Sequence, residues 1–270
     1  MTNITTGAVD TEHMPRGGPG AGWLDRALQT DRLEYLDRDD VPEEVKQTVV
    51  SALQRMGERS GTHEKQARFI VDLLGDRPAS TILELGAGHG ALSGHILALH
   101  SSAQVTVTDI NPTSVNNIAS GPLGSNPRVR TQVVDATQID AADDSYDIVV
   151  FSTAFHHLPP AAASSAIAEA TRVGNRFVVI DGMRPPAGVL LALLAVGIPL
   201  GGIGTALIPK YRPVFHDAVI SALRMYSRAA FAALGRAAER PLNVEFLPIL
   251  KGFPSMGGGA VIYSKPVGDS

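Results

Sequence analysis

Between residues 81 and 182, short apolar runs alternate with longer stretches of helical period. Runs at 81–85, 104–108, 130–134, 146–151 and 176–181 predict strands, and stretches at about 91–99, 112–119 and 161–173 predict helices. Strands this apolar, separated by helices, predict a parallel sheet covered on both faces. Upstream, Trp23, Leu24, Leu28, Leu33 and Leu36 form a first apolar set of helical character. Val41-Pro42-Glu43-Glu44 then reads as a helix start with proline and acids in its first turn. That helix carries Val45, Val49, Leu53 and Met56 at spacings of three and four. Thr62 reads as the N-cap of another, striped by Phe69, Ile70, Leu73 and Leu74. Downstream, Phe215 to Arg240 predicts two helices separated near Ser227. The segments Val244–Leu250 and Ala260–Ser264 predict closing strands around Gly257-Gly258-Gly259.

One stretch departs from this alternation. Ala187 to Ile208 is 22 residues without a charge, long enough to span a bilayer. Gly197, Pro199, Gly201, Gly202 and Gly204 are expected to break a helix near its middle. Strands on both sides also argue against a span that would divide one sheet. The expectation is a buried or substrate-facing cap, ahead of peripheral membrane contact and of a true span. The domain plan is a disordered Gly- and Pro-rich tail at 1–22, an N-terminal helical cap at 23–60 and a ligand-binding core at 61–182. An apolar cap insertion at 183–227 and a C-terminal completion of the core at 228–270 follow.

Composition narrows the function. With 270 residues, 44% of them hydrophobic, the chain can bury one large core. A net charge of −4 argues against nucleic acid as a partner. The absence of cysteine excludes disulfides, thiolate metal sites and cysteine nucleophiles, and no metal ligands are assigned. No basic n-region leads into an apolar run at the N-terminus, so the expected location is the cytoplasm, with association to a membrane through 187–208 as the alternative.

The chemistry centres on Thr81–Gly90, TILELGAGHG. A strand ends there in a turn where Gly86, Gly88 and Gly90 let backbone N–H groups approach a ligand, and the helix from Ala91 points its positive end at the same place. Asp109 ends the second strand about 20 residues on, where a carboxylate meets a ribose; the alternative is a helix N-cap ahead of Pro112. Asp135 ends the third strand, able to accept from an adenine amino group while the Ala136 N–H meets a ring nitrogen; the alternative is a turn-forming aspartate. Glu84, inside the first strand, requires backbone N–H donors or a ligand amine.

These residues resemble a known family. Glu84-Leu-Gly86-Ala87-Gly88-His-Gly90, Asp109 and Asp135 are similar to motifs I, II and III of class I S-adenosylmethionine-dependent methyltransferases. Tyr146–Phe151 followed by Phe155-His156-His157-Leu158 is similar to the motif IV region. The resemblance implies an α/β, Rossmann-like seven-stranded sheet in the order 3-2-1-4-5-7-6, the last strand antiparallel, with helices on both faces and a helical cap. It implies S-adenosyl-L-methionine as cofactor, held by Glu84, Gly86, Ala87, Gly88, Gly90, Asp109, Ile110, Asp135, Ala136 and Ser152. A dinucleotide dehydrogenase would want G-x-G-x-x-G, whereas the glycines here are spaced G-x-G-x-G.

Methyl transfer depends mainly on in-line placement of the acceptor. A hydroxyl or carboxyl acceptor must also lose a proton, and His156 or His157 is the candidate base; the alternative is that the pair caps the loop and packs on the cofactor. His89 is assigned to the cofactor shell. His216, Arg224 and Tyr226 are weaker substrate candidates, with helix capping and solvent exposure as the alternative. Residues 181–186 and 213–227 resemble, more loosely, small-molecule methyltransferases of actinobacterial type, which implies secondary metabolism. The expected reaction is O-methylation of an apolar small molecule. C-methylation of a quinone-like ring, or a membrane-peripheral cofactor binder without turnover, are the alternatives.

Overall fold

The alternating apolar runs pair into one sheet, and the central strands divide their side chains between two helical layers. The computed structural model describes residues 2–4, 9–75, 77–238, 241–248 and 258–266. Strands β1 (Thr2–Ile4), β2 (Thr81–Leu85), β3 (Gln104–Asp109), β4 (Val129–Val133), β5 (Tyr146–Ser152), β6 (Gly174–Gly182), β7 (Leu242–Pro248) and β8 (Gly258–Ser264) lie in the order β1-β7-β8-β6-β5-β2-β3-β4. Strands β2 to β6 pair in parallel, and β8 runs antiparallel to both β6 and β7. Leaving β1 aside, this is the expected seven-strand order 3-2-1-4-5-7-6 with its last strand antiparallel. Residues 249–250 of the expected sixth strand, and Gly257, lie outside the described residues.

The helices are α1 (Trp23–Ala27), α2 (Glu43–Ser60), α3 (Thr62–Leu74), α4 (Ala91–Leu99), α5 (Pro112–Ser120), α6 (Pro160–Val173), α7 (Ala187–Leu207), α8 (Arg212–Arg224) and α9 (Arg228–Ala237). Successive strand residues face opposite sides. Ile82 of β2 packs with Ile70 of α3, Ile96 of α4 and Ile118 of α5. Its neighbours Leu83 and Leu85 face Ile167 of α6 and Phe231 of α9. Because β2, β3, β5 and β6 are parallel, their carboxyl ends share one edge. That edge carries the glycine turn, Asp109, the 3-10 turn Phe155–His157 and Asp181.

Three expectations are corrected. The first concerns the tail at 1–22. Residues 2–4 form β1, paired antiparallel with β7, and the chain from residue 9 onward packs on the core. Met14 and Arg16 are buried. One guanidinium nitrogen of Arg16 donates to the carbonyls of His156 (2.9 Å) and Arg224 (2.8 Å), while its guanidinium lies 4.4 Å from the centre of the Tyr226 ring. A buried cation answered by two carbonyls and an aromatic face holds this segment in place. The second concerns the apolar set from Trp23, which is not one helix. The helix α1 stops at Ala27 because Arg184 takes the carbonyls of Asp25 and Leu28, both 2.9 Å away, and Trp23 and Leu33 face solvent.

The third correction concerns 187–208, which is neither broken nor buried. The helix α7 runs unbroken over 21 residues with Pro199 inside it, and Leu190 is its one buried residue. Proline removes the bond to the Ala195 carbonyl but does not end a run with no competing structure to join. The helix returns along α8, whose Phe215 ring stands where a Cβ on Gly201 would lie, 1.9 Å from it. This glycine sets the approach of the hairpin.

If residues 9–22 are part of the core, Arg16→Ala costs about 2–4 kcal/mol, since it leaves two buried carbonyls without a donor. Urea unfolding measures it; a midpoint unchanged from the native protein would restore the disordered-tail reading.

Candidate functional site

The glycine turn is built by backbone geometry. Gly86, Gly88 and Gly90 have φ of 61°, 58° and 75°, the left-handed region where a side chain is strained. Space excludes side chains as well, since a Cβ on Gly86 would lie 2.7 Å from the Phe151 ring and one on Gly90 2.7 Å from Leu123. The turn is tied down by the Ala87 N–H on the Thr108 carbonyl (2.8 Å) and the Gly90 N–H on Ala87 (2.8 Å). Asp109 then joins turn and strand end, accepting from the Gly88 N–H and the Asn111 N–H at 2.8 Å each. Burial raises its pKa despite those two donors. The expected cap residue for α5 is Asn111 instead, whose side chain accepts from the Thr113 N–H.

Beneath the turn, Glu84 is buried and accepts from both the N–H (3.1 Å) and the hydroxyl of Ser93, in the first turn of α4. Its donors are thus a helix N-terminus and a hydroxyl. Burial still dominates and pushes its pKa up to about 7.

Helix α2 lies across this edge. Its Val50 stands 3.2 Å from where a Gly88 Cβ would be. His89 in the turn bonds Gln54 (3.1 Å) and Gln47 (2.8 Å), and Asn111 donates to Glu43 at 3.0 Å. Burial lowers the His89 pKa. The helix before the first strand therefore covers the ligand edge.

The remaining expected residues fall into two groups. Asp135 is exposed and accepts from the N–H (2.8 Å) and hydroxyl (2.7 Å) of Thr137, the turn-forming arrangement. Ala136 behind it is buried, and Ile110 next to Asp109 is exposed. Ser152 ends β5, buried, and Thr153 follows with φ 55°, a strained turn that directs the chain into Phe155–His157. Tyr226 is not a substrate residue. It is fully buried, donates to the Leu158 carbonyl at 2.7 Å, and burial raises its pKa. Arg224 is likewise enclosed, bonded to Asp37 (2.7 Å) and the His157 carbonyl. His216 packs edge-on against Tyr35 and contacts Asp217.

The histidine pair, candidate base or loop cap, lies among carboxylates. His156 is buried with Nδ1 2.9 Å from both oxygens of Asp181, and Nε2 3.4 Å from Glu34. Burial opposes its positive charge, but Asp181 and Glu34 outweigh burial and push its pKa up to about 10. Its Nδ1 is thereby committed to Asp181 and is not open to a proton from an acceptor. His157 has Nδ1 2.8 Å from Asp37 and Nε2 3.6 Å from Glu34. Glu34, Asp37 and Asp181, none of them assigned to the site from the sequence, thus define the surroundings of both rings. Burial would raise Glu34 and Asp37, but their histidine contacts, with Arg224 on Asp37 and Ser221 on Glu34, hold both below the usual carboxylate range. The one signal in the sequence was Asp181 ending its strand, as Asp109 and Asp135 end theirs.

A carboxyl whose native pKa lies above its unfolded value gains a proton on folding, so native stability falls as pH rises from 4.5 to about 7 and levels off above it. The climb of Glu84 from 4.5 to about 7 corresponds to on the order of 3 kcal/mol at most. Glu84→Gln keeps the Ser93 acceptor without the charge. Its melting temperature relative to the native protein is expected to improve between pH 5 and pH 8; a difference constant with pH would refute a buried, proton-retaining Glu84.

Comparison with known proteins bears on this site. Residues 82–176 match the family profile described as a methyltransferase domain. A demethylmenaquinone methyltransferase from Beutenbergia cavernae is 32% identical over 124 residues, covering 44% of this chain and 48% of that protein. The ubiquinone/menaquinone biosynthesis C-methyltransferase UbiE of Desulfotalea psychrophila is 28% identical over 149 residues, 53% of this chain and 59% of its own. The chain thus spans about half the length of the curated relatives it matches. In fold, it resembles the plantazolicin methyltransferase BpumL bound to SAH, with TM-score 0.59 at 12% identity over 90% of this chain and 94% of that one. A SAM-dependent methyltransferase from Aquifex aeolicus gives TM-score 0.51 at 15% identity over 80% and 97%. Residues 82–176 thus match a methyltransferase domain, and the strand order and glycine turn are those expected of the class I methyltransferase fold.

Proposed function

We propose that this protein transfers a methyl group from S-adenosylmethionine to a carbon of an apolar, quinol-like small molecule. The observation that carries the reading is the bare glycine turn at the N-terminus of α4 with Asp109 bonded beneath it. The residues present fit the cofactor. The turn presents N–H groups to an anion or dipole, and each Asp109 oxygen has one backbone donor and a lone pair left for a diol. Bound S-adenosylmethionine would supply the methyl group on a sulfonium leaving group. This chain's part is to hold the nucleoside with Asp109, Asp135 and Ala136, close the turn with α2, and orient the acceptor at the edge shared by Ser152 and Phe155–His157.

Two observations support carbon over oxygen as the acceptor. Each nitrogen of His156 and His157 faces a carboxylate, which leaves neither ring open to an acceptor hydroxyl. Two of the relatives carry C-methyltransferase or demethylmenaquinone methyltransferase in their names. Peripheral contact with a membrane accords with α7, whose outward residues include Val196, Leu200 and Ile203 at 61%, 65% and 61% exposure. Its 21 residues extend about 31 Å, the thickness of a hydrocarbon core. The strands β6 and β8 on either side of it belong to one sheet, which supports lying on the surface over crossing it.

Calorimetry with S-adenosylhomocysteine is expected to show binding that Asp109→Ala weakens about 10–100-fold, the loss of hydrogen bonds to a charged group. Undiminished affinity in that variant would sink the cofactor assignment. Product NMR after incubation with a demethylated quinol should place the new methyl on carbon; an O-methyl ether would return the reaction to oxygen. Liposome flotation should carry the native protein upward and leave Val196→Glu/Leu200→Glu behind. Equal flotation of both would remove α7 from the contact.

A further inference from the structure

The cluster around Glu34 has a geometry that hydrogen bonding does not account for. Nε2 of His156 is 3.4 Å from one oxygen of Glu34, and Nε2 of His157 is 3.6 Å from the other. Both exceed the range of N–H···O bonds, about 2.7–3.2 Å. The Nδ1 atoms of the same rings, in contrast, make bonds of ordinary length, 2.9 Å to Asp181 and 2.8 Å to Asp37. Each imidazole is therefore oriented by a carboxylate on Nδ1, with Nε2 turned inward toward a shared third group. The three inward atoms lie within 4.8 Å of one another.

That is the arrangement of a metal site with its outer shell in place: histidines that ligate through one nitrogen and donate from the other to a carboxylate. The two imidazoles face the two oxygens of one carboxylate, 3.4 Å from one and 3.6 Å from the other, and two imidazole nitrogens with a carboxylate are a donor set that zinc takes. Charge agrees as well. Three carboxylates, Glu34, Asp37 and Asp181, converge on two imidazoles, and among the described residues Arg224 is the guanidinium paired with any of them, at Asp37.

We infer that Glu34, His156 and His157 form a binding site for a divalent ion of the zinc class, held by two imidazole nitrogens and one carboxylate, with a fourth position left for water. Asp181 and Asp37 are its positioning residues. His157 and Asp37 keep 17% and 23% of their side chains exposed, which provides a path for the ion. The site joins an extended N-terminal segment to the loop after β5, so the ion would fasten Glu34 to the sheet's carboxyl edge. It stands whether or not the acceptor proposed above is correct.

The test uses the full-length protein after chelator treatment, with zinc added back and metal content read by mass spectrometry. Stoichiometric zinc, a raised melting temperature, and a Co²⁺ spectrum of the four-coordinate type are expected. Glu34→Gln and His157→Gln are expected to lose stoichiometric binding, and Asp181→Asn to weaken it about 10–100-fold. His95→Ala, which alters the surface pair of His63 and His95 near Glu58, should bind as the native protein does. The inference is overturned if the native protein takes up no stoichiometric zinc, which needs no variant to fold. Zinc retained undiminished by His157→Gln, or lost on His95→Ala, overturns it equally.

Discussion

A charge removed from water must be met by another charge or by a full set of hydrogen bonds, and that constraint decides how the first forty residues meet the sheet. Arg16, Glu34 and Asp37 come from a segment with little regular structure, and His156, Asp181 and Arg224 come from the far side of the sequence. None of these groups is tolerable alone at its depth. Together they close: Arg16 on two carbonyls, Arg224 on Asp37, and the two imidazoles between three carboxylates. Between α1 and α2 the backbone is extended at Glu34 and then turns through a short 3-10 helix at Tyr35–Asp37, which sets both acids against the histidines.

The same accounting separates the two buried acids at the carboxyl edge. Glu84 lies under a helix N-terminus with Ser93 for company, and burial prevails, so it keeps its proton to about neutrality. Asp181 is as deeply enclosed, but His156 and two backbone N–H groups outweigh burial and hold its pKa below the usual carboxylate range. One carboxyl supports a turn and the other supports a ring.

Much of the fold was legible because its signals are local. Continuous apolar strands followed by helical stretches predict β2 to β6, and a glycine turn ahead of Asp109 announces itself in a short stretch. The buried cluster was not legible. Glu34 looks like any acid in the polar run 31–44, and nothing near it in sequence says that two histidines will face it. His156-His157 drew attention as a base because histidine titrates near neutrality, yet the carboxylates that face both rings are all distant in the chain. Met14 and Arg16 are single residues without period, so a Gly- and Pro-rich segment reads as a tail. In 187–208 the rule that glycine and proline break helices was derived for water, where the freed backbone finds another partner. A wholly apolar run has no such competitor, and the helix continues.

The helix α7 begins five residues after the end of β6, at the edge that also carries the glycine turn and the histidine turn. On the proposed peripheral contact, a lipid surface covering α7 would also be the phase from which that edge receives an apolar acceptor. The quantity governing encounter would then be the acceptor's mole fraction in that surface, not its amount per litre of buffer.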